Sequence, residues 1–199
     1  MSMKHVSSEG SLTKLTNVQS NDVQPNATDL RLSKVFLIRP ATFTITENEK
    51  THRGSVELSP DASGYFVLQP GSYEVEMENV INVGEGEAGW VITRSTLNRN
   101  GVFLTTGLYD SGYFGPMMAV MHVNCGPMRI KRGTRIGQYL SFEAETLHKY
   151  NGSYGFDPTT GQARNDEANL YGRKTIDEVQ PTAANPLKRR GPGRPRKNP

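Results

Sequence analysis

The sequence RSTLNR, which begins at Arg94, combines residue types that bind anions. Arg94 and Arg99 carry guanidinium groups, which donate paired hydrogen bonds to phosphate oxygens. Ser95 and Thr96 open a predicted short helix over 95–101, where free backbone N–H groups and the helix dipole favour a phosphate. The pattern therefore indicates a phosphate site, although a capped surface helix with both arginines in water explains it equally well.

The sequence TTGLYDSGY places a carboxylate close to an aromatic ring. Thr106 and Gly107 lie just before it, and the glycine permits close approach of the backbone to a ligand. Asp110 could orient and deprotonate a water molecule, and Tyr113 could cover a sugar or a base. Because Asp-Ser-Gly is also a common turn sequence, a plain β-turn is the alternative interpretation.

Two later segments add polar and aromatic groups of the same kind. In RGTRIGQ, Gln138 carries a donor and an acceptor, as contact with a base edge or a phosphate requires. The glycine-rich GSYGFDPTTG contains Phe156 and is followed by Arg164, so its amides and hydroxyls could wrap a polyphosphate while the ring stacks on a base. A disordered linker is the alternative for this composition.

Short apolar runs bounded by turn residues must position these groups. Such runs separated by turns predict an all-β sandwich or closed barrel with one short helix. The predicted strands are 34–38, 64–68, 73–77, 89–92, 117–123 and 138–142.

Composition limits the class of protein. The 20 Gly and 12 Pro among 199 residues favour turns over long helices. Cys125 is the single cysteine and has no partner within the chain, and no stretch reaches the roughly 20 apolar residues of a membrane span. An intracellular protein, cytoplasmic or associated with DNA, is therefore expected.

The chain divides into five predicted regions. A polar, aperiodic stretch over 1–22 predicts a flexible arm, and 23–148 predicts the β-barrel. A mobile glycine-rich lid over 149–165, a linker over 166–187 and a basic tail over 188–199 follow.

The basic tail carries a charge opposite to that of the rest of the chain. Its six Lys and Arg turn a body of charge −3 into a chain of charge +3, which predicts a polyanionic partner for the tail alone. GPGRPRK resembles the AT-hook, an extended segment that enters the minor groove of A·T-rich DNA. A nuclear-localisation or solubilising tail is the alternative. The expected DNA contacts are Arg190, Gly193, Arg194, Pro195, Arg196 and Lys197.

The order of these segments resembles the dUTPase/dCTP deaminase family across roughly residues 23–164. VQPNATDLRLSKVF resembles the opening motif of the deaminase branch, and LQPGSY resembles the Pro-Gly turn that follows. RSTLNR is similar to Arg-Ser-Ser-Leu-x-Arg, TTGLYDSGYFG to Gly-x-Ile-Asp-x-x-Tyr/Phe-x-Gly, and RGTRIGQ to Gly-x-x-Ile-(Gly/Ala)-Gln. GSYGFDPTTG resembles the mobile arm of dUTPases, with departures and one extra residue.

The resemblance implies a distorted β-barrel or jelly roll that forms a homotrimer, with each active site shared between subunits. Its implied ligand is a deoxynucleoside triphosphate with Mg²⁺, which the phosphates hold more than the protein does. By resemblance, Asp110 contacts the sugar and activates the attacking water, and Tyr113 packs on the deoxyribose. The implied phosphate and base contacts are Arg94, Ser95, Arg99, Gln138 and Phe156, with Thr96, Thr106, Gly107 and Arg164 as further nucleotide-binding candidates.

Three residues depart from the pattern of this family and bear on the reaction. Val120 stands where family deaminases carry a proton-shuttling glutamate, and a valine cannot carry a proton. Leu104 replaces an asparagine-like residue that reads the base, and Tyr109 replaces an aliphatic residue. His122 lies on the same strand face as Val120, but a structural role is its more common interpretation. Cys125 lacks the paired ligands of a zinc deaminase.

The leading hypothesis is hydrolysis of dUTP to dUMP and diphosphate. The alternatives are a dCTP deaminase with a relocated proton shuttle, and a nucleotide-sensing or DNA-binding protein without turnover.

Overall fold

The computed structural model of the protein describes residues 2–164. Its strands are all antiparallel to their neighbours, and its only α-helix in this part of the chain has five residues. No helix of residues 2–164 has the length and apolar character needed to cross a bilayer. The elements are β1 (Met3–Lys4), β2 (Lys14–Leu15), a 3₁₀ turn (Ser20–Asp22), β3 (Thr28–Ile38), β4 (Thr44–Ile45), β5 (Lys50–Thr51), β6 (Ser55–Leu58), β7 (Tyr65–Leu68), β8 (Gly71–Asn82), β9 (Glu87–Thr93), α1 (Ser95–Arg99), β10 (Val102–Thr105), β11 (Phe114–Val123), β12 (Met128–Lys131) and β13 (Arg135–Glu143).

The main sheet curls until its two ends meet. Strands β9, β13, β3, β8, β11 and β10 are neighbours in this order. Gly89 of β9 then exchanges two backbone hydrogen bonds with Tyr109, just beyond β10, at 2.7 and 3.1 Å. Thr93 adds a side-chain link, because its Oγ1 accepts from the Leu104 N–H at 2.7 Å. These contacts make the sheet a distorted barrel.

Gly89 is required by the close packing at this closure. A Cβ at this position would collide with the carbonyl of Leu140 and the hydroxyl of Tyr139 on the paired strand β13. The barrel interior is filled by apolar side chains of alternating strand positions, as the period of two in a strand dictates. Its fully buried members include Leu30, Leu32, Val35, Val75, Met117, Met121 and Ile136.

The predicted fold class is confirmed: the described chain is a curled antiparallel sheet with one short helix. All six predicted strands overlap observed ones, and the predicted helix over 95–101 is found as α1. The sequence did not predict β1, β2, β4, β5, β6, β10 and β12. These strands have at most four residues, too few for the alternation of polar and apolar residues to stand out.

The N-terminal segment differs from the flexible arm predicted over 1–22. Strand β1 pairs with β13, and β2 pairs with β8. Between them, the carboxylate of Glu87 is buried and accepts hydrogen bonds from the N–H groups of Leu12 and Thr13 and from the hydroxyls of Ser11 and Thr13. The polar sequence of residues 11–13 gave no sign of this attachment, because Glu87 lies more than 70 residues further along the chain.

Glu87 makes the attachment of this segment depend on pH. Burial by itself raises the pKa of Glu87, but the hydrogen bonds from Thr13, Leu12 and Ser11 outweigh it and lower the pKa below its ordinary value near 4.5. A lowered folded-state pKa stabilises the protein above the unfolded value, and this contribution is lost as the pH falls through the folded value.

Replacement of Glu87 by Gln is expected to lower the free energy of unfolding at pH 7 by about 2 kcal/mol, because a charged acceptor for four donors is lost. The difference from wild type should shrink as the pH falls below about 4.5, as measured by urea denaturation at several pH values. Glu143→Gln is the matched control, since Nζ of Lys4 lies 3.6 Å from the Glu87 carboxylate and 3.3 Å from that of Glu143, which is mostly exposed. A difference that stays constant down to pH 3 would contradict this account.

Candidate active site

Two of the phosphate-binding candidates, Arg94 and Gln138, meet across neighbouring strands at Asp29. The carboxylate of Asp29 is completely buried in β3. Its Oδ2 lies 3.4 Å from Nε of Arg94 and 3.1 Å from Nη1 of Arg135, and its Oδ1 accepts from Nε2 of Gln138 at 3.0 Å. Arg94 follows β9, while Gln138 lies on β13, so three neighbouring strands contribute to this Asp29 cluster.

The Asp29 cluster presents donors rather than metal ligands. Arg94 and Arg135 each keep part of their guanidinium surface accessible, at 28% and 30% side-chain exposure, while their shared carboxylate is hidden. Guanidinium groups always carry a positive charge, and an anion can approach them from the open side. The cluster is therefore suited to phosphate oxygens.

Helix α1 extends this cationic surface. Arg94 occupies its N-cap position, so Ser95 and Thr96 lie in its first turn, one position later than a capping serine would. Ser95, Thr96 and Arg99 are all exposed. The sequence prediction thus named Arg94 and Gln138, which the structure brings together, but missed Asp29 and Arg135. Asp29 lies in VQPNATDLRLSKVF and Arg135 lies in RGTRIGQ, but neither segment reveals that one buried carboxylate contacts two arginines.

Asp110 lies in a tight turn with its side chain exposed. The N–H of Tyr113 donates to the Asp110 carbonyl at 3.0 Å, and Gly112 adopts a positive φ of 79°, so the predicted β-turn is present. Ser111 anchors the turn, because its buried hydroxyl donates to the Gly84 carbonyl and accepts from the Gly86 N–H, both at 3.1 Å. The β-turn therefore leaves the Asp110 carboxylate exposed to solvent, so the turn does not exclude a chemical role for it.

A groove of about 520 Å³ runs beside Asp110. Its walls are the segment 144–152, Ala88, Leu108 and Ser111. Tyr113 lies behind this turn: its ring contacts those of Tyr109 and Tyr150 at centroid distances of 5.6 and 5.3 Å. With 9% of its surface exposed, Tyr113 leaves little area for contact with a sugar in the described chain.

Tyr109 fastens the Asp110 segment to β11. Its hydroxyl donates to the Met118 carbonyl and accepts from the Met118 N–H, both at 3.1 Å, at the irregularity in the pairing of β11 with β8. Burial raises the pKa of Tyr109, so the hydroxyl stays protonated and keeps both bonds. The departure from an aliphatic residue at this position thus has a structural reason.

A second cavity, of about 360 Å³, lies on the other side of the same segment. Thr106 and Gly107 line it, together with Thr105 and the β11 residues 118–120. A Cβ at Gly107 would meet no atom within 4 Å, so the backbone there is open to a ligand. Leu104 does not take part, because its side chain is buried in the barrel core. We call this space the 105–107 cavity.

His122 and Cys125 add no obvious chemistry. The two ring nitrogens of His122 lie 3.0 Å from the Ser72 hydroxyl and 3.1 Å from the Thr105 hydroxyl, which supports the structural interpretation. Cys125 is exposed and unpaired, in contact with the position that a Cβ of Gly101 would occupy. Within residues 2–164, no group of three or more His, Cys, Asp or Glu side chains could hold a metal ion.

The glycine-rich segment packs against its own chain. The N–H of Phe156 donates to the Phe114 carbonyl at 2.6 Å, and the two rings contact each other at a centroid distance of 5.4 Å. Arg164 holds the segment closed through hydrogen bonds to the carbonyls of Phe156 and Gly152, at 3.2 and 3.3 Å. The mobility predicted for this lid stays a prediction, and the linker and basic tail lie outside the described residues.

Strand β9 separates the Asp29 cluster from Asp110 within one chain. The Asp110 turn is attached at Gly89, and Arg94 follows the other end of the strand. Five residues of extended strand span about 16 Å. The attachment point of the Asp110 turn and Arg94 are therefore separated along the same chain.

Replacement of Asp29 by Asn tests the role of the buried carboxylate. We expect the affinity for inorganic tripolyphosphate, measured by calorimetry, to fall at least about tenfold, because Arg94 and Arg135 lose the charge that orients them. Glu87→Gln is the matched control: Glu87 is equally buried but holds the N-terminal segment at the other end of β9, so its replacement should reduce stability without changing this affinity. Equal losses of affinity in both variants would contradict the assignment.

Comparison with known proteins identifies the family of the chain. The family model described as dCTP deaminase-like matches residues 3–144. A probable deoxyuridine 5'-triphosphate nucleotidohydrolase of Methanopyrus kandleri is 31% identical over 142 residues, 70% of this chain and 91% of the relative. The corresponding protein of Methanothermobacter thermautotrophicus is 34% identical over 135 residues, 66% and 87% of the two chains.

Among solved structures, 2'-deoxycytidine 5'-triphosphate deaminase from Agrobacterium tumefaciens has a similar fold, with a TM-score of 0.50 and 22% identity. The similarity covers 65% of this chain and 43% of that one, so the chain spans less than half of that structure's length. From the match over 142 of its 199 residues and these relatives, the chain belongs to the dCTP deaminase-like family.

Proposed function

We propose that this protein hydrolyses a deoxynucleoside triphosphate, dUTP in the first place, to the monophosphate and diphosphate. The observation that carries this proposal is that one chain contains both the donor-rich Asp29 cluster and an exposed carboxylate, Asp110, in an anchored turn. The archaeal relatives named as deoxyuridine 5'-triphosphate nucleotidohydrolases support the choice of substrate.

Asp110 acts on the nucleophile in this proposal. Its carboxylate accepts a proton from a water molecule, whose oxygen attacks the α-phosphorus while the bond to the diphosphate oxygen breaks. Arg94, Arg99 and Gln138 hold the phosphate chain and stabilise the negative charge that moves onto the leaving diphosphate. The products are dUMP and diphosphate, so one water is consumed for each nucleotide.

Magnesium fits the site only as an ion carried by the substrate. The accessible groups of the Asp29 cluster are hydrogen-bond donors, and such groups match phosphate oxygens rather than a cation. When bound with the substrate, Mg²⁺ would neutralise part of the phosphate charge. Protein side chains would contact the phosphates around the ion.

The active site is assembled between copies of the chain, and we propose a homotrimer. The separation along β9 supports this arrangement, because the Asp110 turn is attached at Gly89 and Arg94 follows the last residue of the strand. Phe156 and Arg164 would then close over the nucleotide, and Tyr113 would pack against the deoxyribose.

Deamination of dCTP is the second candidate reaction, and the description of the matching family favours it. Purified protein incubated with dUTP or dCTP and Mg²⁺ separates the possibilities. Diphosphate from dUTP without ammonia supports the first reaction, and ammonia from dCTP supports the second. Binding of both nucleotides without either product supports a nucleotide-sensing role.

Asp110→Asn tests the proposed mechanism. We expect the rate of diphosphate release from dUTP to fall by about 10²- to 10⁴-fold, because an amide cannot accept the proton of the attacking water. Asp61→Asn changes a carboxylate in a distant turn, bonded to the N–H groups of Ser63 and Tyr65, and should leave the rate near wild type. A near-wild-type rate for Asp110→Asn would refute the assignment.

The basic tail is proposed to bind A·T-rich DNA, with Gly193, Arg194 and Pro195 in the minor groove and phosphate contacts from the neighbouring Lys and Arg. Three tails on one trimer would strengthen binding through their effective concentration.

Truncation after Pro186 is expected to abolish binding to an A·T-rich duplex, as measured by fluorescence anisotropy, and to leave diphosphate release unchanged. Arg194→Ala in the full chain should weaken the preference for A·T-rich over G·C-rich duplex. DNA affinity that survives the truncation would exclude the tail as the binding element.

A further inference from the structure

The 105–107 cavity contains a carboxylate that no motif predicted. Glu74 of β8 lines it, and Glu74 is the one charged side chain among the described residues around this space. The other lining groups are threonine hydroxyls, open backbone and apolar β11 side chains. A size of about 360 Å³ and such a mixture are typical of a pocket for a small ring with a few polar contacts.

Strand register brings Glu74 to this place. Glu74 lies directly opposite Val120, which in turn lies opposite Thr105 on β10. Side chains of directly opposed residues share one face of the sheet, with Cβ atoms about 5 Å apart. The carboxylate therefore reaches the pocket from the strand next to the one where family deaminases carry theirs.

The side chain of Glu74 is held in place. The hydroxyl of Ser55 on β6 donates to its Oε2 at 3.1 Å, and the residue is partly buried. Glu74 and Val120 also form part of a neighbouring cavity lined by Phe43, His52 and Arg53. The carboxylate thus stands at the junction of two spaces, and the same-face His122 already has a partner at each ring nitrogen.

We propose that Glu74 contacts the pyrimidine base and determines which base the site accepts. This inference rests on the proposed binding of a deoxynucleoside triphosphate. An ionised carboxylate only accepts hydrogen bonds, cytosine presents an amino group at its 4-position, and uracil presents a carbonyl oxygen there. At this contact Glu74 therefore favours the amino group of cytosine over the carbonyl oxygen of uracil, and the substrate class of the site extends from dUTP to cytosine-bearing deoxynucleotides.

Substitution of Glu74 by Gln should change the preferred base from cytosine to uracil, since the amide of Gln can donate a hydrogen bond to the uracil oxygen. Wild type is expected to bind the α,β-imido analogues of both dCTP and dUTP. In Glu74→Gln, the ratio of the dissociation constants should shift by roughly tenfold towards the dUTP analogue, measured by calorimetry. Glu74→Ala should lose the preference for cytosine without gaining one for uracil.

Glu76→Gln is the matched control, because Glu76 lies on the same strand and face but pairs with Lys34 outside the cavity. Its ratio should equal that of wild type. A ratio unchanged within threefold in Glu74→Gln, or wild type that binds the dUTP analogue alone, overturns the role of Glu74 and leaves the proposed hydrolysis standing. Failure of wild type to bind either analogue overturns both proposals.

Discussion

The buried carboxylate of Asp29 is the constraint on which the candidate active site depends. A charge without solvent is costly unless it is paired and hydrogen-bonded, and Asp29 meets this condition with Arg94, Arg135 and Gln138. Arg94 follows the last residue of β9, and Arg135 and Gln138 lie on β13, which pairs with β9 in the sheet. The same interaction therefore joins strands and aims cationic groups outward.

Much of the fold followed from the sequence because it rests on local signals. The six longer apolar runs became strands, and the break between Arg94 and Gly101 became a helix, since periodicity and turn residues act within a few positions. The N-terminal strands escaped detection because Glu87, which holds them, lies more than 70 residues from Thr13. A contact between residues so far apart in the sequence produces no periodic pattern of polar and apolar residues.

The candidate site was predictable only where one motif carried it. Asp110 and Gln138 could be named from their segments, and the structure gives them an anchored turn and a place in the Asp29 cluster. Arg135 and Asp29 could not be paired, because their interaction crosses from β13 to β3. The position of Glu74 opposite Val120 likewise depends on register, which the sequences of two separate strands do not reveal.

Strand β9 has a further consequence under the proposed trimeric assembly. If Asp110 and the Asp29 cluster act together only across a contact between subunits, a lone chain cannot serve as a slow version of the complete enzyme. Turnover per chain would then rise with protein concentration until association saturates, and a cell that makes little of this protein would obtain disproportionately little catalysis.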